Sequence, residues 1–199
     1  MATSEEEITR GHELYLRHLL LLGQAAPVGV KAVIEREVRK QYMGSLANLL
    51  AEKKDTFKAF PQLFQDDEVN ADIDSWDIHL LCDVTLALFE SCLTDTEREA
   101  ILCISGQRKD LDNYADSASL SYKTFETKWA ALHPAILGLI KNIDDETAKL
   151  ECTRMIYSFK SESTRVNMEL INRIKQTKDV NLHVQMAIQD KVAPKIHGD

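Results

Sequence analysis

Along most of the chain the apolar positions recur at steps of three and four, the spacing that stacks side chains on one face of an α-helix. Ser4 with Glu7 forms a capping-box start, after which Ile8, His12, Tyr15, Leu19 and Leu22 repeat until Gly23, which is expected to end a first helix. Pro27 suits the first turn of a second helix, where its missing N–H costs nothing, and Val30, Val33, Ile34 and Val38 supply its stripe. The side carrying Glu35, Arg36, Arg39 and Lys40 is expected to face water. Gly44-Ser45 opens a shorter helix through Leu46, Leu49 and Leu50, whose pattern is lost at Glu52-Lys53-Lys54-Asp55. From Thr56 to Asp74, Phe57, Phe60 and Phe64 surround Pro61, and Asp66-Asp67-Glu68 follows without a clean period. This stretch reads as a loop pinned by its aromatics.

Asp74 or Ser75 is expected to cap a strong helix in which Ile78, Leu81, Cys82, Thr85, Leu88 and Phe89 share one face. Leu80, Val84 and Leu86 widen that face into a belt, which predicts a central position. Thr94 and Glu97 form a second capping box for a helix built on Ala100, Ile101, Ile104 and Leu111 that ends around Tyr114. After a small polar connector, Ser117 to Ser121, the most regular stripe runs through Tyr122, Phe125, Trp129, Leu132, Ile136, Leu139, Ile140 and Ile143, with Pro134 as a point of bending. Asp144 is expected to cap one long or two consecutive helices carrying Leu150, Met155, Ile156 and Phe159, then Val166, Leu170 and Ile174. Lys191 to Asp199 reads as a frayed end.

Seven Gly and four Pro in 199 residues are too few for an all-β chain that must turn every ~10 residues, which supports an all-α, compact multi-helix bundle. A 44% hydrophobic content is enough for one core, and no repeat or linker divides the chain, so residues 1–199 read as one domain. Acidic residues outnumber basic ones 32 to 24, and a net charge of −8 repels phosphate and anionic headgroups unless a local basic patch intervenes. No apolar run approaches the roughly 18 residues of a membrane span. The acidic start Ser4-Glu5-Glu6-Glu7 is unlike a signal peptide, so cytoplasm or nucleus is expected, with no membrane partner. Cys82, Cys92, Cys103 and Cys152 lack paired spacing and sit in apolar helical contexts, which reads as buried reduced thiols.

The sequence has no glycine-rich phosphate loop, no HExxH and no GxSxG. Glu7 with His12 and Asp77 with His79 each lack a second ligand pair at helical spacing, so His12, His18, His79, His133, His183 and His197 read as surface or satisfied histidines, with no metal and no cofactor implied. Trp76, Phe125 and Trp129 fall on apolar stripes and read as core anchors, not base-stacking platforms. Arg165, Arg173, Lys175 and Lys178 are interleaved with Glu162, Glu169 and Asp179, a mixed-charge solvated face.

One ordered set of segments carries a likeness. Ser75-Trp76-Asp77-Ile78-His79-Leu80-Leu81 is followed by Thr94-Asp95-Thr96-Glu97-Arg98-Glu99-Ala100-Ile101 and Arg108-Lys109-Asp110-Leu111-Asp112-Asn113-Tyr114. Then comes Ser121-Tyr122-Lys123-Thr124-Phe125, with Trp129 four residues on. This order resembles the HEPN superfamily, and within it the HEPN-like domain of the DAZ-interacting RNA-binding ubiquitin ligase and of related invertebrate multidomain proteins. The resemblance implies a core at about 74–143, amino-terminal helices at 5–55 and a helical tail at 144–190. Ribonucleases of the family use an Arg followed within one or two helical turns by a His, with two such motifs meeting across a dimer. The His handles the 2′-OH proton while the Arg holds the phosphate.

Arg108 matches that Arg, but Asn113, Tyr114 and Ala115 stand where the His belongs. Asn takes up no proton near neutral pH, and Tyr is a poor base there, so about 10²- to 10⁴-fold in rate is expected to be missing. The expectation is a non-catalytic module for protein association, self-association included, as a homodimer or higher oligomer. The rival from another class is an RNA-binding or weakly ribonucleolytic domain that uses Arg108 with Lys109 or Tyr114. A third reading is a helical scaffold with no HEPN ancestry. Arg108 and Lys109 themselves stand open between a retained interface role and a solvated helix end complementing the dipole.

Overall fold

The computed structural model of the protein describes the backbone of residues 4–41, 44–161 and 167–192 and the side chains of these except 4–8 and 192. The capping box read at Ser4 and Glu7 and the tail residues Glu162, Arg165, Val166 and His197 lie outside the described side chains. Within them the protein is an all-α bundle. Its order is α1 (Ser4–Leu20), a π-helical turn (Leu21–Ala25), α2 (Ala26–Gln41), α3 (Leu46–Glu52), a two-residue hairpin of β1 (Phe64–Gln65) and β2 (Glu68–Val69), then α4 (Ile78–Phe89), α5 (Asp95–Asp110), α6 (Tyr122–Ile140), α7 (Glu146–Ser161), α8 (Met168–Lys175) and α9 (Val180–Val192).

Gly23 does not stop the first helix. The chain stays helical from Ser4 to Gln41, because a single π turn accommodates Pro27 just beyond it. A proline ring collides with the carbonyl four residues back and leaves it without a donor, and a wider turn gives the ring room: here the Ala26 N–H bonds to the Leu21 carbonyl, five residues back. Gly23 serves contact instead: a Cβ there would lie 2.2 Å from Val184 Cγ1 of α9. Gly29 on α2 has the same role against α6, where an added Cβ would meet Leu139 Cβ at 2.7 Å. Two stems that close cannot yield by a rotamer change, so Gly29→Ala is expected to lower unfolding stability by about 1–3 kcal/mol. Gly106→Ala, with nothing within 4 Å, is expected to raise it by about 0.5–1 kcal/mol, and urea titration of the two variants measures both changes.

Helix α4 is central, with Ile78, Leu80, Leu81, Cys82, Val84, Thr85 and Phe89 all buried and α2 and α5 packed on it. Its cap is Asp77 and not Asp74 or Ser75: those two lie in a separate 3₁₀ turn, Trp76 is extended, and Asp77 Oδ1 accepts from the Leu80 N–H at 2.9 Å. Trp76, Phe125 and Trp129 are buried as expected. The capping box of α5 forms at Thr94 and Glu97, and Glu97 also takes a two-pronged ion pair from Arg36 of α2, at 2.5 and 3.1 Å. That pair holds the Glu97 carboxyl down at about 2.

The stretch 56–74 is mostly as read, with Phe57 buried, but it contains the short hairpin. Asp66 and Asp67 turn it with φ of 50° and 64°, a left-handed pair that aspartate tolerates and that suits the twist of a two-residue turn. Helix α6 runs on past Pro134. The cap of α7 is Asp145, one residue after the expected Asp144, with Oδ1 accepting from Thr147 and Ala148 N–H. Its buried face is Cys152, Ile156 and Phe159, while Leu150 is exposed. The tail divides into α7, α8 and a further helix, α9, which packs on α1. Among the cysteines, Cys82 and Cys152 are buried free thiols as expected, whereas Cys92 is exposed in the short 3₁₀ turn 90–92 after α4 and Cys103 is half-buried beside the apolar face of α5. No helix among the described residues is long and apolar enough to cross a membrane.

Candidate functional site

Ile101, Ile104 and Arg108 follow one another at helical steps, so the buried face of α5 carries the arginine inward with the isoleucines. Arg108 is buried, its side chain 9% exposed, which sets aside the solvated helix end, one of its two open readings; the neighbouring Lys109 is the exposed cation. Arg108 Nε donates to Asn181 Oδ1 at 2.9 Å and Nη1 donates to Asp112 Oδ1 at 3.0 Å. Asn181 Nδ2 in turn donates to Asp77 Oδ2 at 3.0 Å. One carboxamide thus joins the end of α5 to the start of α9 and to the cap of α4.

The same first turn of α9 carries a second such link. His183 is fully buried; its Nε2 donates to the Thr177 carbonyl at 2.8 Å, and Nδ1 accepts from the Tyr15 hydroxyl of α1 at 2.8 Å. Burial raises the Tyr15 phenol well above its ordinary value, so it remains a donor. Close by on α1, His12 Nδ1 donates to the Ala118 carbonyl at 2.7 Å, and the Gly11 carbonyl accepts from Leu120 N–H at 3.0 Å. The 115–121 connector is thereby clasped to the first helix. A further turn along, His18 is 0% exposed, and burial, aided by the Lys128 charge, pushes its imidazole down to about 3 against the opposing effects of Asp110 and Gln107.

The remaining motif positions turn to other partners. Asn113 is exposed and donates from Nδ2 to Asp110 Oδ1 at 3.1 Å. Tyr114 is half-buried under the Lys128 ammonium, 5.2 Å from its ring centroid. Lys128, itself buried, forms an ion pair with Asp110, whose carboxyl is held below its usual range mainly by that bond. Arg108, Asn113 and Tyr114 therefore do not converge on one reacting atom. Among the described residues no group of three or more His, Cys, Asp or Glu is placed to hold a metal.

Sequence reasoning missed Tyr15, His18, Lys128, Asn181 and His183 as polar side chains placed inside the bundle. Part of it was signalled, since Lys128 lies beside Trp129 and in phase with Phe125 and Leu132 on the α6 stripe, and His12 and Tyr15 sit in the stripe of α1. A polar side chain in the phase of a core face predicts an internal partner. In comparisons with known proteins, no family model, no curated protein and no solved structure matches the chain.

Proposed function

We propose that this chain is a non-catalytic HEPN-like helical module that acts by protein association, self-association included, within a signalling, ubiquitin-ligase or innate-immune type of multidomain protein. The observation that carries this reading is the use of Arg108. Its Nε and Nη1 donors are committed to Asn181 and Asp112 inside the fold, and no histidine follows it on α5 or the adjoining turn. A guanidinium that is 9% exposed and anchored by two internal bonds is poorly presented to a scissile phosphate. The outward side of the α5–α6 pair supplies a surface instead. Leu102 is 51% exposed, and Ala130, Ala131 and Pro134 are exposed on α6, where the Cys103 thiol donates to the Ala131 carbonyl at 3.5 Å. Charge-poor faces of that kind suit the centre of an interface.

Light scattering and sedimentation across the micromolar range test the reading. The wild type is expected to self-associate, and Leu102→Glu to weaken that association by at least about tenfold, the cost of burying a charge at an interface centre. A wild type that stays strictly monomeric at high micromolar concentration would remove self-association. Salt-sensitive RNA binding that is lost in folded Arg108→Ala would replace the reading with the RNA-contact alternative.

A further inference from the structure

On the far side of α6 from the Arg108 system, α6 and α7 enclose a cavity of about 250 Å³ lined by Glu126, Trp129, Ala130, His133, Tyr157 and Lys160. Its volume falls below the ~300–1,000 Å³ of small-molecule sites and is on the scale of one inserted side chain. Three rings wall it. Trp129 and His133 are stacked with centroids 6.0 Å apart, and Tyr157 meets His133 edge-on at 6.0 Å. The ring faces offer negative quadrupole, and Glu126 adds a carboxylate at the rim. The protein already places a cation there: Lys160 Nζ lies 5.5 Å from the Trp129 ring centroid and 3.9 Å from Glu126 Oε2.

That internal cation holds loosely. The ion-pair distance is at the edge of contact, and the Lys160 side chain is 46% exposed. His133 Nε2 is a buried nitrogen with no hydrogen-bond partner. Burial and the Lys160 charge lower the His133 pKa, which keeps the imidazole neutral near pH 7 and able to present an acceptor. A point-like ammonium cannot stack on the rings, reach Glu126 and meet the imidazole together. A planar guanidinium can, since it has five donors in a rigid fork and a face that stacks on aromatic rings.

We propose that this cavity is a docking pocket for an arginine side chain of a protein partner, with Lys160 as the internal occupant it displaces. The guanidinium lies against Trp129 and Tyr157 and donates to Glu126, while Lys160 swings into solvent. The inference rests on the association reading only in that a protein presents the arginine; the pocket itself is tested apart from any oligomer.

The test is a titration of the whole protein with the peptides acetyl-Gly-Arg-Gly-amide, acetyl-Gly-Lys-Gly-amide and acetyl-Gly-norleucine-Gly-amide, followed by NMR of the Trp129 indole with the Trp76 indole as internal control. The arginine peptide is expected to shift Trp129 saturably, with lysine about tenfold weaker and norleucine weaker still. Glu126→Gln is expected to weaken arginine binding by about tenfold, and Lys160→Met to tighten it by about threefold or more by clearing the competitor. Both substitutions are at partly exposed positions that leave the core intact. Norleucine binding as well as arginine, or no saturable shift in either the wild type or Lys160→Met, would overturn the pocket. Equal binding of lysine would overturn its assignment to arginine. Light scattering of Leu102→Glu reads self-association separately, so either proposal can fail while the other stands.

Discussion

Arg108→Ala is expected to lower the free energy of unfolding by about 2–4 kcal/mol, and Arg108→Lys by nearly as much. The magnitude follows from which of its partners is the better shielded from water. The Nε bond runs to Asn181, which ties α5 to α9 and through Asp77 to the cap of α4, so its loss leaves Asn181 Oδ1 without its donor and loosens the carboxamide that bridges the three helix ends. Hydrogen bonds to charged groups in such settings contribute about 1.5–3 kcal/mol, and lysine, lacking the fork, cannot reproduce two divergent donors. Asp112, by contrast, is 62% exposed, so that ion pair is screened by solvent, and Asp112→Ala is expected to cost less than about 1 kcal/mol. Urea titrations of the three variants measure this, with an unchanged slope showing that two-state unfolding is retained. An Arg108→Ala protein within about 0.5 kcal/mol of wild type would show the clamp to be idle and return Arg108 to the list of residues available to a ligand.

The same residue shows what a sequence can and cannot tell. That Arg108 lies in phase with Ile101 and Ile104 is visible in the string of letters, and so is its likeness to the arginine of a ribonuclease motif. Its actual partner is Asn181, in the tail that the resemblance already marked as helical, but no local pattern could announce that pairing across 73 residues. Helices α4, α5 and α6 were legible because their apolar periods are strong and their caps chemically standard, although Asp77 displaced the expected cap once Trp76 adopted an extended backbone. Gly23 was misread for a related reason. Glycine ends helices and also permits close helix contacts, and only the position of Val184 decides between the two. Cys92 and Cys103 followed composition into the core on paper, while their actual exposure depends on faces fixed by tertiary packing.

His18 gives the second large expectation, a fall in stability on mild acidification. In the folded protein its imidazole titrates at about 3, against an ordinary 6.5. Between those two values the unfolded chain binds a proton that the folded chain refuses, so stability rises with pH across the window and is lost as pH drops through it. Above 6.5 both states are neutral and His18 contributes no pH dependence. The slope is about 1.4 kcal/mol per pH unit, or about 2–3 kcal/mol lost between pH 6.5 and 4.5. That upper interval isolates the histidine from Glu97, whose carboxyl, held at about 2 against an ordinary 4.5 by Arg36, removes stability only at lower pH. His133, lowered by burial and by Lys160 but only half-buried, adds a smaller effect of the same sign. His18→Leu keeps an apolar group of similar size in the site and is expected to flatten the curve from pH 6.5 to 4.5. Urea midpoints measured for both proteins at half-unit steps provide the comparison. Curves that remain parallel would mean that the unfolding proton uptake belongs to another group, and that the buried cluster on α1 tolerates a charge after all.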